Sequence, residues 1–343
     1  MTIDQLQRVN IRDLAPYSCA RSEFKGEASV YLDANENPLN DPYNRYPDPL
    51  QMKVKEKIAK LKGVRPSQIM LGNGSDEPID LTIRIFCEPK VDNMVSIDPT
   101  YGMYKVCADI NQVEYREVLL NSDFTLDFDR LMAATDEHTK VIFLCSPNNP
   151  TGNLIDRDVI HRILNAFEGI VVIDEAYADF ASEASWLEEL DRYPRMVILQ
   201  TFSKAWASAS VRCGMAFGSE EVIACFNKVK YPYNVNLLTQ RFVSEQLDYP
   251  DRKESWVKML IEQRDLLRKR LAALPFVEEI YPSDANFLLV KMKEVNRVYG
   301  YLQGLGIIVR NRNNVSLCRG CLRITVGTAE EMDELLDKLK SFS

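Results

Sequence analysis

Short apolar runs alternate with helical patterns along the middle of the chain, and this alternation limits the possible folds more than any other feature. The runs include Met94–Ile97, Val141–Cys145, Ile170–Ile173 and Val197–Leu199, with helical patterns such as Arg157–Phe167 between them. Runs of this length are typical of β-strands. Helices between successive strands favour parallel pairing. The sequence therefore predicts an α/β fold with a mostly parallel sheet flanked by helices.

The pattern changes after Arg241, where a second unit is predicted. A long helix over Arg252–Leu274 is followed by strands at Val277–Ile280, Asn286–Lys291, Ile307–Arg310 and Leu322–Val326, and by a helix after Thr328. A chain of 343 residues has room for a large domain and a smaller one. We predict a large domain over 31–240, a small α+β domain over 241–343, and an N-terminal arm over 1–30 that packs with the small domain.

The arm and the segment after it carry two tyrosines in irregular stretches. Pro16 ends a short helical stretch and leaves Tyr17 in a position to reach a ligand or to anchor the arm by packing. A short strand is predicted to begin at Tyr31 and to run into turn residues. Pro47 and Pro49, which follow Tyr46, favour an extended loop there.

Composition and charge exclude several classes of protein. Hydrophobic residues make up 46% of the chain and charged residues 27%, as in soluble globular proteins. The net charge of −8 argues against nucleic acid as a partner. No signal peptide or membrane-spanning run is recognisable, which predicts a cytoplasmic protein. The eight cysteines are expected to stay reduced. Cys318 and Cys321 have the spacing of half a zinc or redox site but no second pair, so no metal is expected.

Several distinctive polar residues come just after the predicted strands. They are Tyr101, Asn149, Asp174, Tyr177 and Lys204. Ligands of open α/β sheets bind at the carboxyl ends of the strands. We therefore predict that these residues share one site, although Tyr101 also fits a core aromatic and turn chemistry alone favours residues such as Asn149.

Lys204 is the candidate catalytic residue. A lysine amine condenses with an aldehyde only when it is neutral, so it needs a partly desolvated site near other cations. Ser203 supplies a hydroxyl beside it, and Arg212 could return to the same site as a phosphate clamp. Lysine, hydroxyl and guanidinium together suggest pyridoxal phosphate, whereas this segment alone is equally compatible with a solvated lysine.

A second anion site is predicted where a strand runs through Gly72 and Gly74 into a helix. Ser75 is the expected N-cap, and Asp76 lies in the first turn. Free amides at such a helix start favour a phosphate, and the glycines allow close approach. The third glycine of a dinucleotide fingerprint is absent, which excludes NAD. A capped turn without a ligand is the alternative.

Asp174 ends a buried strand, where a carboxylate is costly unless it meets a cation. The protonated nitrogen of a pyridine ring would be such a cation, and Tyr177 could hold the ring oxygen. In the second domain, Arg310 and Arg323 lie at strand ends, where they could bind two anionic groups of a substrate. Ordinary surface arginines are the alternative.

The motifs resemble the fold-type-I, aspartate-aminotransferase-like family of pyridoxal phosphate enzymes. They are Asn149-Pro-Thr-Gly152, Asp174-Glu-Ala-Tyr177, and Ser203-Lys204 with Arg212. The flanking motifs are similar to those of histidinol-phosphate aminotransferases over nearly the whole chain. They are Asn10–Tyr17, Leu32–Pro38, Arg45–Pro49, Gly74–Glu77 and Leu322–Thr325. The stretch Ala205–Val211 departs from the family, with serines and the bulky Trp206, which bears on packing more than on chemistry.

The resemblance implies a role for each residue at the cofactor. Lys204 would bond the cofactor aldehyde, Asp174 would pair with the ring nitrogen, and Tyr101 would stack on the ring. Asn149 and Tyr177 would hold the ring oxygen. The cofactor phosphate would be held by Ser203, Arg212, the amides of Ser75 and Asp76, and Tyr46 from the partner subunit of a homodimer.

The resemblance also implies the substrates. Arg323 would bind the substrate carboxylate or its counterpart, and Arg310 with Tyr17 would bind the substrate phosphate. The expected reaction is amino transfer between L-histidinol phosphate and 2-oxoglutarate, giving imidazole acetol phosphate and L-glutamate in histidine biosynthesis. The alternatives are an aromatic aminotransferase, a decarboxylase similar to the threonine-phosphate enzyme, and a non-catalytic sensor of the same cofactor.

Overall fold

The computed structural model describes residues 1–18, 20–24, 26 and 28–342. The strands are β1 Ile69–Asn73, β2 Asn93–Asp98, β3 Glu114–Leu119, β4 Thr139–Cys145, β5 Ile170–Asp174, β6 Met196–Thr201, β7 Cys213–Phe217, β8 Val277–Ile280, β9 Phe287–Met292, β10 Arg310–Asn311 and β11 Cys321–Thr325. The helices are α1 Ile3–Leu6, α2 Val9–Arg12, α3 Ala20–Glu23, α4 Met52–Lys62, α5 Asp76–Phe86, α6 Met103–Ile110, α7 Phe128–Ala133, α8 Arg157–Ala166, α9 Glu220–Val229, α10 Leu237–Gln246, α11 Pro250–Leu271, α12 Val295–Gly304 and α13 Ala329–Lys340. Among the residues described, none of these helices is both long and apolar enough to cross a membrane.

A seven-stranded sheet forms the larger part of the fold, in the order β1-β7-β6-β5-β4-β2-β3. Only β7 runs against its neighbours in this sheet, since it pairs antiparallel with β1 and β6. Successive side chains of a strand point to opposite faces. Accordingly Ile142 and Ile173 lie in one buried apolar cluster, and Phe143 and Val172 lie in the other. The predicted mostly parallel sheet with helices on both faces is confirmed.

The second sheet has the order β10-β11-β9-β8 and is antiparallel throughout. Successive side chains of each strand point to alternate faces of this sheet, and this alternation decides which face carries the functional side chains. Leu322 and Ile324 of β11 pack into an apolar cluster with α11, α12 and α13. Arg323, between them, therefore points to the opposite face, where Cys321 joins the core of the large sheet. The small sheet thus presents Arg323 toward the larger one.

The N-terminal residues correct one prediction. Ile3, Leu6 and Ile11 are buried in the cluster that contains α5 and α9 of the large sheet. Arg8 donates from its Nε to Glu88 at 3.2 Å, and its backbone N–H donates to the carbonyl of Ile85. The arm therefore packs on helices of the large sheet over these residues, whereas the sequence predicted packing with the small domain.

Two predicted strands are wrong. Around Tyr31 the backbone forms no strand in the described chain. The strand expected over Ile307–Arg310 is confined to Arg310–Asn311, because Gly306 turns the chain at φ +80° and Ile308 is 74% exposed without a pairing partner. The other predicted strands are found with ends shifted by one or two residues. The sequence prediction omitted β3, a partly exposed and charged edge strand, and β7.

Candidate active site

A cavity of about 690 Å³ lies between the carboxyl ends of the large sheet's parallel strands and the arginine-bearing face of the small sheet. It is lined by every predicted site residue except Tyr17 and Tyr46. The predicted residues at the cavity are Ser75, Asp76, Tyr101, Asn149, Asp174, Tyr177, Ser203, Lys204, Arg212, Arg310 and Arg323. The predicted convergence of strand ends is therefore seen in the structure.

Asp174 lies at the end of β5 and is only 2% exposed. Its Oδ2 accepts a hydrogen bond from the hydroxyl of Tyr104 at 2.6 Å, and its Oδ1 accepts one from the backbone N–H of Ala176 at 3.0 Å. Burial raises the pKa of this carboxyl to about 6, although both hydrogen bonds act to lower it. Two neutral donors thus hold the group in place without supplying the cation that a buried carboxylate needs.

Tyr104 is a site residue that the sequence analysis missed. It lies on α6, fully buried, and its ring stacks on Phe143 with centroids 4.8 Å apart. Burial and the nearby Asp174 raise the pKa of the phenol well above its usual value, so the hydroxyl stays protonated and donates. Its spacing on a helix indicated only a core aromatic, because the carboxylate partner lies 70 residues further along the chain.

Lys204 lies in the turn between β6 and β7. The turn is fixed by the backbone N–H of Ser203, which donates to Thr201 Oγ1 at 3.1 Å, and by that of Ala207, which donates to the Lys204 carbonyl at 3.0 Å. The lysine Nζ lies 5.5 Å from the centre of the Tyr177 ring. Burial and then the charge of Arg323 lower the pKa of Lys204, which increases the neutral, nucleophilic fraction.

Trp206, the bulky departure from the family pattern, is buried just after the lysine. Its ring centroid lies 5.4 Å from that of Phe202, and both belong to the core cluster of the large sheet. The larger side chain therefore fills core space beneath the lysine turn and does not enter the cavity lining.

The helix start predicted after Gly74 is found, with Ser75 at the N-cap and Asp76 first in α5. The Ser75 side chain makes no capping hydrogen bond. Arg212 crosses to this helix start, where its Nη2 lies 3.2 Å from Asp76 Oδ2. The backbone N–H of Gly74 donates to the Arg212 carbonyl at 3.1 Å. Gly74 has a φ of +71°, which disfavours residues with a side chain, and a Cβ there would lie 2.5 Å from Arg212 Nη2, so glycine suits this close approach.

Polar groups on the opposite side of the cavity link the two sheets. Asn149 Nδ2 donates to the Tyr177 hydroxyl at 3.4 Å, and the Asn149 side-chain oxygen accepts a hydrogen bond from Arg323. Burial lowers the pKa of the Arg323 guanidinium, and the charge of Arg312 lowers it further. Arg312 also lines the cavity and is a second residue that the sequence analysis missed.

Tyr17 and Tyr46 lie outside this cavity. Tyr17 is 69% exposed. Tyr46 stacks on Tyr233 with ring centroids 4.5 Å apart, and its backbone N–H donates to Glu36 at 2.6 Å. Arg21 and Arg45 also contact Glu36, and these contacts, that of Arg21 first, lower the pKa of Glu36 to about 2. The Tyr46 loop is thus held on the surface of its own chain.

The residues around the cavity fit pyridoxal phosphate. Among the described residues no ion pair neutralises the buried carboxylate of Asp174, and a protonated ring nitrogen would supply the missing cation. Lys204 is partly desolvated, and the start of α5 with Arg212 offers amides and a guanidinium to a phosphate. In the part of the chain that the structure describes, no cluster of His, Cys, Asp or Glu could hold a metal ion.

Comparisons with known proteins agree with this chemistry. The family model for aminotransferase class I and II matches residues 24–339. A histidinol-phosphate aminotransferase of Bacteroides thetaiotaomicron is 56% identical over 342 residues, covering 99% of this chain and 99% of that protein.

Solved structures of the same kind share the fold. The histidinol-phosphate aminotransferase from Clostridium acetobutylicum has a TM-score of 0.81 at 22% identity, over 87% of this chain and 90% of that one. The one from Sinorhizobium meliloti, solved in complex with pyridoxal-5'-phosphate, has a TM-score of 0.79 at 22% identity, over 87% of this chain and 82% of that one.

Proposed function

This chain belongs to the histidinol-phosphate aminotransferases, within the class I and II aminotransferase family, and we propose that it transfers the amino group of L-histidinol phosphate to 2-oxoglutarate. The products are imidazole acetol phosphate and L-glutamate, in histidine biosynthesis, and the cofactor is pyridoxal 5'-phosphate. One observation carries the proposal. A partly desolvated lysine lies in the same cavity as a buried carboxylate without a cation and a set of arginines on the facing sheet.

The polar residues of the large sheet hold the cofactor in this proposal. Asp174 binds the ring nitrogen, and its two donors, the Tyr104 hydroxyl and the Ala176 amide, keep it oriented. Asn149 and Tyr177 bind the ring oxygen, and Tyr101 covers one face of the ring. Ser203, Arg212 and the amides of Ser75 and Asp76 bind the phosphate. When bound, the cofactor supplies an electron-accepting ring that stabilises negative charge on the neighbouring substrate carbon.

Lys204 carries out the proton transfer. Lys204 is the residue that would hold the cofactor through its aldehyde, and its free Nζ would take up the proton from the amine-bearing carbon of the substrate. Burial and Arg323 lower the pKa of Lys204, so its free amine can accept that proton. Asp174 would favour a protonated ring nitrogen, because an ionised carboxylate in a buried site strongly favours a neighbouring cation.

The small sheet binds the substrates. Arg323 binds the carboxylate of glutamate or 2-oxoglutarate close to the reacting carbon, since its side chain reaches Asn149 at the cofactor site. Arg310 binds the phosphate of histidinol phosphate, with Tyr17 as a further contact. A charged fork of donors suits both anions.

We also propose a homodimer in which Tyr46 serves the partner subunit's cofactor phosphate. The segment that carries Tyr46 exposes an unusual number of large apolar side chains. They are Phe24, Val30, Leu32, Leu39, Tyr43 and Tyr46, with Leu32 92% exposed. Exposed apolar patches of this kind are typical of protein interfaces. A cytoplasmic location and the limits of the domains stay predictions from the sequence.

Steady-state kinetics of the purified holoenzyme test the function. We expect kcat/KM with histidinol phosphate and 2-oxoglutarate to exceed that with phenylalanine by about 10- to 100-fold, because one phosphate contact to a charged group contributes about 1.5–3 kcal/mol. No carbon dioxide should be released from threonine phosphate. A preference for phenylalanine would indicate an aromatic aminotransferase, and carbon dioxide release would indicate a decarboxylase.

A further inference from the structure

Three arginines share one face of the small sheet. Arg310 and Arg323 are direct partners across the β10–β11 ladder, and directly paired residues lie on the same face. The backbone N–H of Arg312 donates to the Cys321 carbonyl at 2.9 Å, which continues the pairing beyond β10. Residues two apart on an extended strand point the same way, so Arg312 lies beside Arg310. All three line the cavity that contains Lys204.

The positive charge of this face has no carboxylate partner. None of the ion pairs between residues that the structure describes involves Arg310, Arg312 or Arg323. The Nε atoms of Arg312 and Arg323 are buried and have no hydrogen-bond partner in the described structure. Like charges on neighbouring strand positions destabilise a sheet, and so do buried donors without acceptors. An anionic ligand in the cavity would remove both costs.

We infer that Arg312 is a further substrate-binding residue, which forms with Arg310 a two-arginine clamp for the phosphate of histidinol phosphate. The inference rests on the proposed function. Arg323 reaches Asn149 and is therefore directed to the cofactor end of the cavity, leaving Arg310 and Arg312 for the far end of the substrate. A phosphate monoester carries nearly two negative charges at neutral pH and three acceptor oxygens, which suit two guanidiniums. The far carboxylate of glutamate carries one charge.

A structural role for the Arg312 side chain has less support. The loop after it is held by backbone groups, since the Arg312 N–H donates to Cys321 and the Arg312 carbonyl accepts from the Val315 N–H at 2.9 Å. A substitution of the side chain keeps both bonds. Arg319 is a matched control, because it lies in the same loop with the same charge but is exposed and outside the cavity.

The test compares the holoenzymes of wild type, Arg312→Gln and Arg319→Gln. The filled cofactor site leaves inorganic phosphate to report on the substrate site, so its Kd is measured by calorimetry. For Arg312→Gln we expect the phosphate Kd and the KM for histidinol phosphate to rise about 10- to 100-fold. The KM for glutamate should rise no more than about threefold, and the Tm without substrate should not fall. Arg319→Gln should match wild type.

The inference fails if Arg312→Gln has the same phosphate Kd as Arg319→Gln, if the KM values for histidinol phosphate and glutamate rise equally, or if wild type does not bind phosphate. If Arg312→Gln does not fold, Arg312→Lys replaces it. A phosphate Kd raised severalfold then supports the clamp, and an unchanged Kd overturns it. A wild-type enzyme that binds phosphate through Arg312 but does not turn over histidinol phosphate would keep the anion clamp and refute the proposed function.

Discussion

The two walls of the cavity, one formed by the large sheet and one by the small sheet, differ in how their charged side chains are paired. On the large sheet, the buried Asp174 receives hydrogen bonds from Tyr104 and Ala176, and the turn around Lys204 is fixed by backbone bonds. On the small sheet, Arg310, Arg312 and Arg323 lie together without carboxylate partners among the described residues. One wall is organised in advance, and the other carries charge that the protein itself does not neutralise.

This difference corresponds to two kinds of ligand. A group that stays bound through many turnovers benefits from a wall whose side chains are already held in place. Two different anionic substrates that bind in turn need positively charged side chains that are not paired with carboxylates of the protein when no substrate is bound. The stability that the arginine face gives up is the usual cost of a binding site.

Lys204→Ala should abolish turnover, a loss of more than about 10⁴-fold, because it removes both the nucleophile and the proton carrier from the organised wall. Borohydride treatment of the wild-type holoenzyme followed by peptide mapping should place the cofactor on Lys204. Lys105→Ala, at an exposed lysine of α6 outside the cavity, is the control. A cofactor label on any other lysine would refute the assignment.

The buried Asp174 of the large-sheet wall should also make the stability of the cofactor-free protein depend on pH. Burial raises the pKa of Asp174 from 3.8 to about 6. Below about pH 3 the group is protonated in both the folded and the unfolded chain, and as the pH rises through 6 it must ionise in a site that disfavours the charge. The raised pKa of Asp174 therefore lowers the free energy of unfolding on going from pH 3 to pH 7, by about 3 kcal/mol.

Asp174→Asn provides the comparison, because the amide does not titrate. The difference in unfolding free energy between cofactor-free wild type and Asp174→Asn should change by about that amount over this pH range. Denaturant unfolding at several pH values measures it, and Glu175, whose pKa is also raised by burial, is common to both proteins. If the difference in unfolding free energy does not change with pH, a cation already neutralises the Asp174 carboxylate in the folded protein. Bound cofactor should abolish the dependence.

Arg310→Ala tests the other wall. We expect the KM for histidinol phosphate to rise about 10- to 100-fold and the KM for glutamate to rise much less, because only the first substrate carries a phosphate. The Tm of the holoenzyme without substrate should stay the same or rise, since a repelling charge is removed. A lower Tm with equal losses for both substrates would give Arg310 a structural role and would break the contrast between the walls.

The smallest change in activity is expected from an experiment on Tyr46, which shows whether the cofactor site of one chain needs a residue from its partner. Tyr46 lies outside the cavity of its own chain, and if it acts in the partner, a hybrid of Lys204→Ala and Tyr46→Ala chains has one intact site. With random exchange, half the dimers are hybrids with half their sites intact, so activity should recover to about a quarter of wild type. Mass spectrometry confirms the exchange. Activity that stays at the parental average would confine Tyr46 to its own subunit.

Residues at strand ends were the most predictable part of the site. Asp174 directly follows an apolar run, and Lys204 comes five residues after another one that ends at Leu199. Parallel strands bring their carboxyl ends to one edge, so linear order was enough to group these residues. The start of α5 was also predictable, because glycines and a serine precede an apolar helix, although the Ser75 side chain makes no capping hydrogen bond. The resemblance to a known family then assigned the roles.

Tyr104 and Arg312 were not predictable in the same way. Tyr104 is a core aromatic by helical spacing, and only tertiary packing brings its hydroxyl to Asp174. Arg312 shares a face with Arg310 only because β10 continues its pairing to Cys321, and the prediction placed that strand three residues too early. Edge strands such as β10 and β3 have weak apolar patterns, which is why their limits escaped the sequence analysis.

The large sheet should hold one permanent cofactor while the arginine face exchanges two substrates at the same place. Holoenzyme at micromolar concentration, mixed with an excess of histidinol phosphate and no 2-oxoglutarate, shows whether this is so. We expect that about one equivalent of imidazole acetol phosphate per site is released, that the reaction then stops, and that 2-oxoglutarate restarts it with one glutamate per ketone. No ketone before 2-oxoglutarate is added, or ketone that continues to form without it, would contradict the claim.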